Sequence, residues 1–280
     1  MRRVFLLIAL LLVSLDAAAW TRIVNFNNGT LGTTAQGSNG FDQCAGDTVY
    51  TRDQTHDGSN AVKMSISAGD TGWCTWGGLL DFPGNLKQGD QLWVSLYMYV
   101  PSSFVVTDSN GSLKFLRIHT NGVGYYDFQI IDDDTSMNYV YRSLKEGVAV
   151  WHYIGDRSKL SSLFPRDRWF KLEINLSFDS TSVKNGGTGR TRVWIDDKPI
   201  YEGNDERTLA AASDIADQLF VFTWWNGGAP KSQSLYMDDI YMTSDTPPNV
   251  DSLGHPFIGP ANGTTGSPPA APTGISVVPN

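Results

Sequence analysis

The sequence is poor in cysteine, in histidine and in basic residues. Its 280 residues include 2 cysteines and 4 histidines, and 21 Lys and Arg residues stand against 29 Asp and Glu residues. The resulting formal net charge of -8, with no segment in which basic and aromatic residues interleave, does not match the phosphate backbone of a nucleic acid. We therefore expect no nucleic-acid partner.

Long apolar runs are also scarce, and the one that exists lies at the N-terminus. It covers Val4–Val13, with Arg2 and Arg3 before it and the small residues Ala17–Ala19 after it. This order is typical of a cleaved secretory signal, and the run is too short to span a bilayer. We predict a signal peptide over 1–19, a secreted or periplasmic protein, and no membrane anchor.

The two cysteines, Cys44 and Cys74, lie in polar, glycine-rich segments. An exported protein meets an oxidising environment, which favours a disulfide between them. A zinc site is not indicated, because two cysteines without a histidine pair at ligand spacing do not form one.

Helical periodicity is weak throughout, and its best candidate is Asp205–Leu219. In Leu92–Val100 and Phe170–Phe178, by contrast, apolar residues alternate with outward-facing ones at a period of two. About ten such strands separated by short Gly- and Asn-rich turns predict an all-β, two-sheet antiparallel β-sandwich over 20–245. The composition then shifts to Pro, Gly and Ser, which predicts a C-terminal extension or linker over 246–280.

Aromatic residues are abundant, with 9 Trp, 11 Tyr and 13 Phe, more than a core of this size requires. Side chains two apart on a strand share a face, so Arg117 and His119 point the same way. Aromatic faces stack on the C–H surfaces of sugar rings, and planar polar groups bind hydroxyls and carboxylates. An ordinary solvated face would show the same pattern. The outward-facing candidates for sugar binding are Lys114, Tyr97, Tyr99, Lys171, Glu173, Trp225 and Asn226. We expect them to line one curved sheet together with Arg117 and His119.

Two acidic segments are candidates for calcium binding. Asp132–Asp134 is more typical of a solvated turn, because it lacks the spaced ligands of a calcium loop. Asp238 and Asp239 are adjacent in the last strand, so one of them must face away from the core. We predict a possible structural calcium site at this pair and no cofactor that activity requires.

The order of several segments carries a resemblance to known proteins. These segments are Gly89–Trp93, Val100–Phe104, Leu113–Arg117, Asp167–Glu173, Gly189–Asp197 and Leu235–Tyr241. Together they resemble the concanavalin A-like jelly-roll proteins, and within them the β-jelly-roll polysaccharide lyases that act on alginate, glucuronan or heparin. The Glu-x-Asp-x-x-Glu strand of laminarinase-type hydrolases, which share the fold, is missing, so acid–base hydrolysis lacks its carboxylate pair.

The resemblance to lyases is most specific at Arg117-Ile118-His119. This segment is similar to the Gln-Ile-His strand of alginate lyases, with His119 at the position of the family's His and Arg117 in place of its Gln. Two other alginate lyase motifs, Arg-x-Glu-Leu-Arg and Tyr-Phe-Lys-x-Gly, are absent.

The resemblance implies a β-elimination in which cationic or amide groups neutralise a uronate carboxylate. A Tyr or His then takes the C5 proton and protonates the leaving oxygen. The implied catalytic residues are Arg117, His119, Gln129, Tyr125 and Tyr141, with an acidic polysaccharide as the partner of a monomeric protein. A lectin-like carbohydrate-binding protein without catalysis is the alternative hypothesis, and a structural sandwich domain is a third.

Overall fold

The computed structural model describes residues 19–106, 111–121, 124–131, 136–143, 148–154 and 165–259. Residues 1–18 of the predicted signal peptide and 260–280 of the predicted extension lie outside the described residues. The Asp132–Asp134 segment lies outside them as well.

The described residues form β-strands joined by loops, with one 3-10 helical turn at Val183–Asn185. The strands are β1 (Thr21–Val24), β2 (Thr48–Thr51), β3 (Ala61–Ile66), β4 (Gly78–Leu86), β5 (Gln91–Tyr99), β6 (Leu113–Thr120), β7 (Gly124–Ile131), β8 (Ser136–Ser143), β9 (Val148–Ile154), β10 (Trp169–Ser177), β11 (Arg190–Ile195), β12 (Lys198–Gly203), β13 (Ala216–Trp225), β14 (Gln233–Thr243), β15 (Asn249–Val250) and β16 (Pro256–Phe257).

The strands are arranged in two antiparallel sheets that face each other across an apolar core. One sheet has eight strands in the order β12, β11, β10, β5, β14, β3, β2, with β1 paired to β14. The other has six, in the order β4, β13, β6, β7, β8, β9. This is the predicted all-β sandwich.

Strand alternation builds the core from both sheets. In the eight-stranded sheet, Leu172 pairs with Leu96 and both side chains are buried. In the six-stranded sheet, Ile118 pairs with Tyr126, and both belong to the same core cluster. Because successive side chains on a strand alternate between faces, each sheet sends its remaining side chains outward, away from the other sheet.

The predicted helix over Asp205–Leu219 is not formed. Its first part is a loop, and β13 begins at Ala216. Side-chain oxygens bind the backbone there: Asp214 Oδ2 accepts the Ala211 N–H at 3.0 Å, and Thr208 Oγ1 accepts the Asp179 N–H at 2.8 Å. Such bonds favour turns over helix. No helix of the described residues is long and apolar enough to cross a membrane.

The hairpin of β15 and β16 packs on the outward face of the eight-stranded sheet. Phe257 stacks on Trp194 with ring centroids 6.1 Å apart, and Trp194 Nε1 donates to Asp251 Oδ2 at 2.8 Å. Trp93 Nε1 donates to the Pro256 carbonyl at 3.4 Å. Both indoles are therefore buried although they point away from the core. The first part of the predicted C-terminal extension is thus folded against the sandwich.

A disulfide joins Cys44, before β2, to Cys74, between β3 and β4. This is the predicted pairing, and the two residues are 30 apart in sequence. A crosslink of this kind restricts the unfolded chain, and the stabilisation grows slowly with the length of the closed loop.

Replacing Cys44 and Cys74 together by serine should lower the free energy of unfolding by about 3 to 4 kcal/mol. The loss follows from the greater freedom of the unfolded chain once the loop is open. Urea denaturation followed by tryptophan fluorescence measures it. As a control, the reduced wild-type protein should unfold at the same urea concentration as the double variant. A variant as stable as the oxidised wild type would contradict this account.

Candidate functional site

Three adjacent strands, β13, β6 and β7, bring polar and aromatic side chains to the outward face of the six-stranded sheet. We call this surface the β6 face. The side chains that define it are Lys114, Arg117, His119, Asp127, Gln129, Gln218, Phe220 and Trp224. Strand register arranges them in three rows, in which Lys114, Arg117 and His119 of β6 each lie between a residue of β13 and a residue of β7.

The central row holds a buried cation. Arg117 is 4% exposed and is paired in register with Phe220 on one side and Asp127 on the other. Its Cζ lies 5.0 Å from the centroid of the Phe220 ring and 5.7 Å from that of Trp73. Its Nη2 also donates to Thr223 Oγ1. Contacts with aromatic faces and a hydroxyl thus offset part of the free energy that burial of the guanidinium costs.

The second row holds a histidine that a carboxylate orients. His119 Nδ1 lies 2.6 Å from Asp217 Oδ1, and the imidazole is parallel to the Phe220 ring, with centroids 5.8 Å apart and planes 2° apart. With Nδ1 donating to the carboxylate, Nε2 is the nitrogen that carries the lone pair. This arrangement suits a general base, because the Asp217 carboxylate fixes the tautomer of the imidazole.

The third row centres on Lys114, which is 3% exposed. Lys114 Nζ donates to Asn226 Oδ1 at 2.7 Å and lies 5.9 Å from the Trp224 ring centroid. The Trp224 indole N–H donates to the same Asn226 oxygen at 2.8 Å. Asn226 therefore holds both the cation and the indole in place.

Gln129 is paired with Lys114 in register and is buried. Its Nε2 donates to Asp127 Oδ2 at 3.4 Å, and its Oε1 has no hydrogen-bond partner among the described residues. The amide thus lies next to Lys114 in register and contacts Asp127, the register partner of Arg117.

The structure corrects the assignment of Trp225 to sugar binding. Trp225 is fully buried and stacks on Trp76 and Phe104, with centroids 6.2 and 6.1 Å away. A bulge in β13, where Phe222 has a φ of 49°, shifts the alternation of the strand. Trp224 consequently takes the outward position.

For the two tyrosines predicted to act as acid or base, the structure gives only the strand register of the backbone. Tyr125 pairs with His119, and Tyr141 pairs with Tyr126, whose side chain is in the core. The side chains of Tyr125 and Tyr141 lie outside the described part of the structure.

The sequence did not indicate Gln218 and Phe220 of the β6 face, nor Trp73, Asp217 and Thr223, which contact side chains of that face. Asp217 is 98 residues from His119, the side chain that it contacts. Trp73 belongs to the loop between β3 and β4, which periodicity does not describe. The only available signal was the dense aromatic run of β13, and a bulge within that run hides which of its residues face outward.

No protein-family model and no curated protein matches this sequence. The structure is similar to the alginate lyase vAL-1 from Chlorella virus, with 13% identity, a TM-score of 0.52, and coverage of 71% of this chain and 90% of that one. It is also similar to the endo-β-1,4-glucuronan lyase from the fungus Trichoderma reesei, with 14% identity, a TM-score of 0.55, and coverage of 77% and 96%. The fold is the β-jelly roll of these lyases. At such identities the likeness concerns the fold alone.

Tyr97, Tyr99, Lys171 and Glu173 lie on the opposite side of the jelly roll from Arg117. They belong to β5 and β10 of the eight-stranded sheet and face outward from it. Because the core separates the two sheets, one bound sugar chain lying on the β6 face does not reach them. The expectation of a single surface that unites these residues with Arg117 is therefore corrected.

Lys171 and Glu173 are enclosed beneath the β15–β16 hairpin. Lys171 Nζ lies 3.2 Å from Glu173 Oε2 and 2.5 Å from Asp197 Oδ1, and Glu173 Oε1 accepts the Ile258 N–H at 2.5 Å. Burial raises the pKa of Glu173 to about 7, although Lys171 opposes this shift. These contacts hold the hairpin to the sheet and leave neither side chain on an open surface.

The carboxylates of Asp238 and Asp239, predicted as a possible calcium site, have other partners in the jelly roll. Asp238 accepts the backbone N–H groups of His56 at 3.3 Å and of Asp239 at 2.9 Å. Asp239 Oδ2 lies 3.0 Å from His56 Nδ1. Calcium takes six to eight oxygen ligands. Among the residues that the structure describes, no group of three or more His, Cys, Asp or Glu side chains could hold a metal.

Asp238→Asn should remove a pH dependence from the stability of the protein. Burial and the neighbouring Asp239 raise the pKa of Asp238 from 3.8 to about 8. The folded state therefore retains a proton that the unfolded chain releases. The stabilisation is complete below pH 3.8 and is lost as the pH rises through 8, by at most about 1.4 kcal/mol per pH unit.

Urea denaturation at a series of pH values between 5 and 8, with about one-unit steps, measures this slope. The slope should be smaller in Asp238→Asn than in the wild type. The matched control is Asp53→Asn, at a carboxylate that is 59% exposed and paired with Lys63, and it should leave the slope unchanged. Equal slopes in the wild type and Asp238→Asn would exclude Asp238 as the titrating group.

Proposed function

We propose that the protein is a secreted lyase that cleaves an acidic, uronate-containing polysaccharide by β-elimination. The observation that carries the proposal is the placement of Arg117 and His119 against the same Phe220 ring on the β6 face, with His119 held by Asp217 at 2.6 Å. A cation and an oriented base on one surface are the two groups that this reaction needs.

The reaction assigns a task to each of these side chains. Arg117, with the Gln129 amide, stabilises the uronate carboxylate as negative charge develops at C5. His119 Nε2 removes the C5 proton, the electron pair forms the C4–C5 double bond, and the C4–O bond breaks. Of the two candidate tyrosines, Tyr125 gives its proton to the leaving oxygen, because its backbone pairs with that of His119. Tyr141 pairs in register with Tyr126, whose side chain is in the core, and is therefore not assigned this task.

Two cations of the β6 face are available to contact the carboxylates of an anionic polymer. The chain as a whole has a net charge of -8, and the β6 face carries Lys114 and Arg117 together with Asp127, while Asp217 contacts His119. An acidic polymer therefore binds through individual contacts of its carboxylates with these cations and not through a net positive charge of the face. We propose an acidic polysaccharide as the partner of a monomeric protein. Arg117 and the Gln129 amide supply the neutralisation of the carboxylate that a metal ion would otherwise provide, so we propose that the reaction needs no cofactor.

Export is supported by the Cys44–Cys74 disulfide, since such bonds persist in oxidising compartments. A polysaccharide substrate is also met outside the cytoplasm. Both points agree with the signal peptide predicted from the sequence.

A lectin-like carbohydrate-binding protein without catalysis is the second candidate. It is favoured by the low exposure of the two cations, 3% for Lys114 and 4% for Arg117, and by their bonds to Asn226 and Thr223. Side chains held in this way can shape a binding surface without taking part in a reaction.

Incubation of the protein with alginate, glucuronan, ulvan and glycosaminoglycans tests the proposal. Formation of the unsaturated uronate product, read by its ultraviolet absorbance, should occur with at least one polymer and should persist in EDTA. Absence of product with every polymer would contradict the lyase. Retardation of the protein in gels that contain the polymers, without product, would favour the lectin-like protein.

His119→Ala should lower kcat by about 100- to 10,000-fold, because it removes the general base. Polymer binding, measured by affinity electrophoresis, should be retained. The matched control is His255→Ala. Like His119, His255 contacts carboxylates, with ring nitrogens 3.5 Å from Asp251 and 3.5 Å from Glu202, but it lies next to the β15–β16 hairpin. Full activity of His119→Ala would remove His119 from the mechanism.

A further inference from the structure

One large indole at the edge of the β6 face remains exposed to solvent. Trp73 is 47% exposed, although its ring centroid is 5.8 Å from that of the buried Phe220. The Arg117 guanidinium lies 5.7 Å from the same indole. Trp73 thus contacts the β6 face with part of its surface and presents the rest to solvent.

The loop that carries Trp73 is fixed on both sides of the indole. Before it, the Gly72 N–H binds Asp70 Oδ1 at 2.8 Å, and Gly72 has a φ of 91°, which favours glycine. After it, Cys74 is bonded to Cys44, and Trp76 is fully buried in the core. An indole held in this way loses little conformational entropy when a ligand binds to it.

We propose that Trp73 forms a subsite that binds the apolar face of a pyranose ring in the polysaccharide chain. The exposed indole surface stacks on the C–H groups of the ring, while Arg117 attracts the carboxylate of the same or the adjacent uronate. The inference rests on the proposed function for the class of polymer. It adds a binding residue that takes no part in the proton transfers.

Neighbouring contacts favour a sugar ring as the occupant. Phe220 and His119 continue from Trp73 as a row of rings, with centroids 5.8 Å apart at each step. Lys114 and Arg117 lie on the same β6 face and supply cationic groups for the carboxylates of a polyuronate, beside Asp127, which is paired in register with Arg117. The exposed Trp73 indole next to a cation matches a sugar unit that has both an apolar face and a carboxylate.

Affinity electrophoresis of the full chain in gels that contain glucuronan or alginate tests the subsite. We expect Trp73→Ala to weaken binding by about 10-fold or more, and Trp73→Phe to retain part of it. The matched control is Trp169→Ala, which removes a partly buried indole packed on Tyr99 on the opposite side of the jelly roll. It should bind as the wild type does.

If a polymer is cleaved, Trp73→Ala should raise KM by the same factor, whereas Trp169→Ala should leave KM unchanged. The inference would be overturned if Trp73→Ala bound the polymer as tightly as the wild type does. It would also be overturned if Trp169→Ala lost as much binding as Trp73→Ala. Failure of the wild type to bind either polymer would also overturn it. Binding that depends on Trp73 without any turnover would uphold the subsite while removing the lyase function, so the two failures are distinguishable.

Discussion

The apolar core between the two sheets decides which side chains reach either outer surface. Each strand gives alternate residues to this core, so the remaining residues must face outward. In β6 this constraint buries Leu116 and Ile118 and sends Arg117 and His119 to the other side. In β10 it buries Leu172 and sends Lys171 and Glu173 outward. The two sets of polar residues therefore lie on opposite sides of one molecule.

The two outward faces stabilise their buried charged side chains in different ways. On the eight-stranded sheet, Lys171 and Glu173 pair with each other, and the C-terminal hairpin supplies backbone groups to both. On the six-stranded sheet, Lys114 and Arg117 contact aromatic rings and neutral polar side chains, and Arg117 is also paired in register with the buried Asp127.

Local sequence pattern was sufficient wherever a strand alternates without interruption. It predicted the inward residues of β5 and β10, the shared face of Arg117 and His119, and the sandwich itself. It failed at Trp225, because the bulge in β13 changes the alternation at a point that composition does not mark.

Long-range pairing was beyond the sequence as well. Period-two patterns do not say which sheet a strand joins, so Tyr97 and Arg117 were expected on one surface. The contact of His119 with Asp217 likewise depends on β6 and β13 being neighbours. The loose periodicity of Asp205–Leu219 made this segment the best candidate for a helix. Periodicity does not reveal that the side chains of Thr208 and Asp214 form hydrogen bonds with the backbone, which favour turns.

The packing of the C-terminal hairpin has a consequence for solubility. Composition alone places the end of the folded domain at 245, before β15. A chain shortened at that point would lose Phe257 and Asp251, and with them the cover over Trp93 and Trp194. Two adjacent apolar surfaces and the Lys171–Glu173 pair would then face water, which is the condition under which β-sheet proteins associate. The folded unit of this protein therefore extends at least to Gly259, whose carbonyl accepts a hydrogen bond from Lys171.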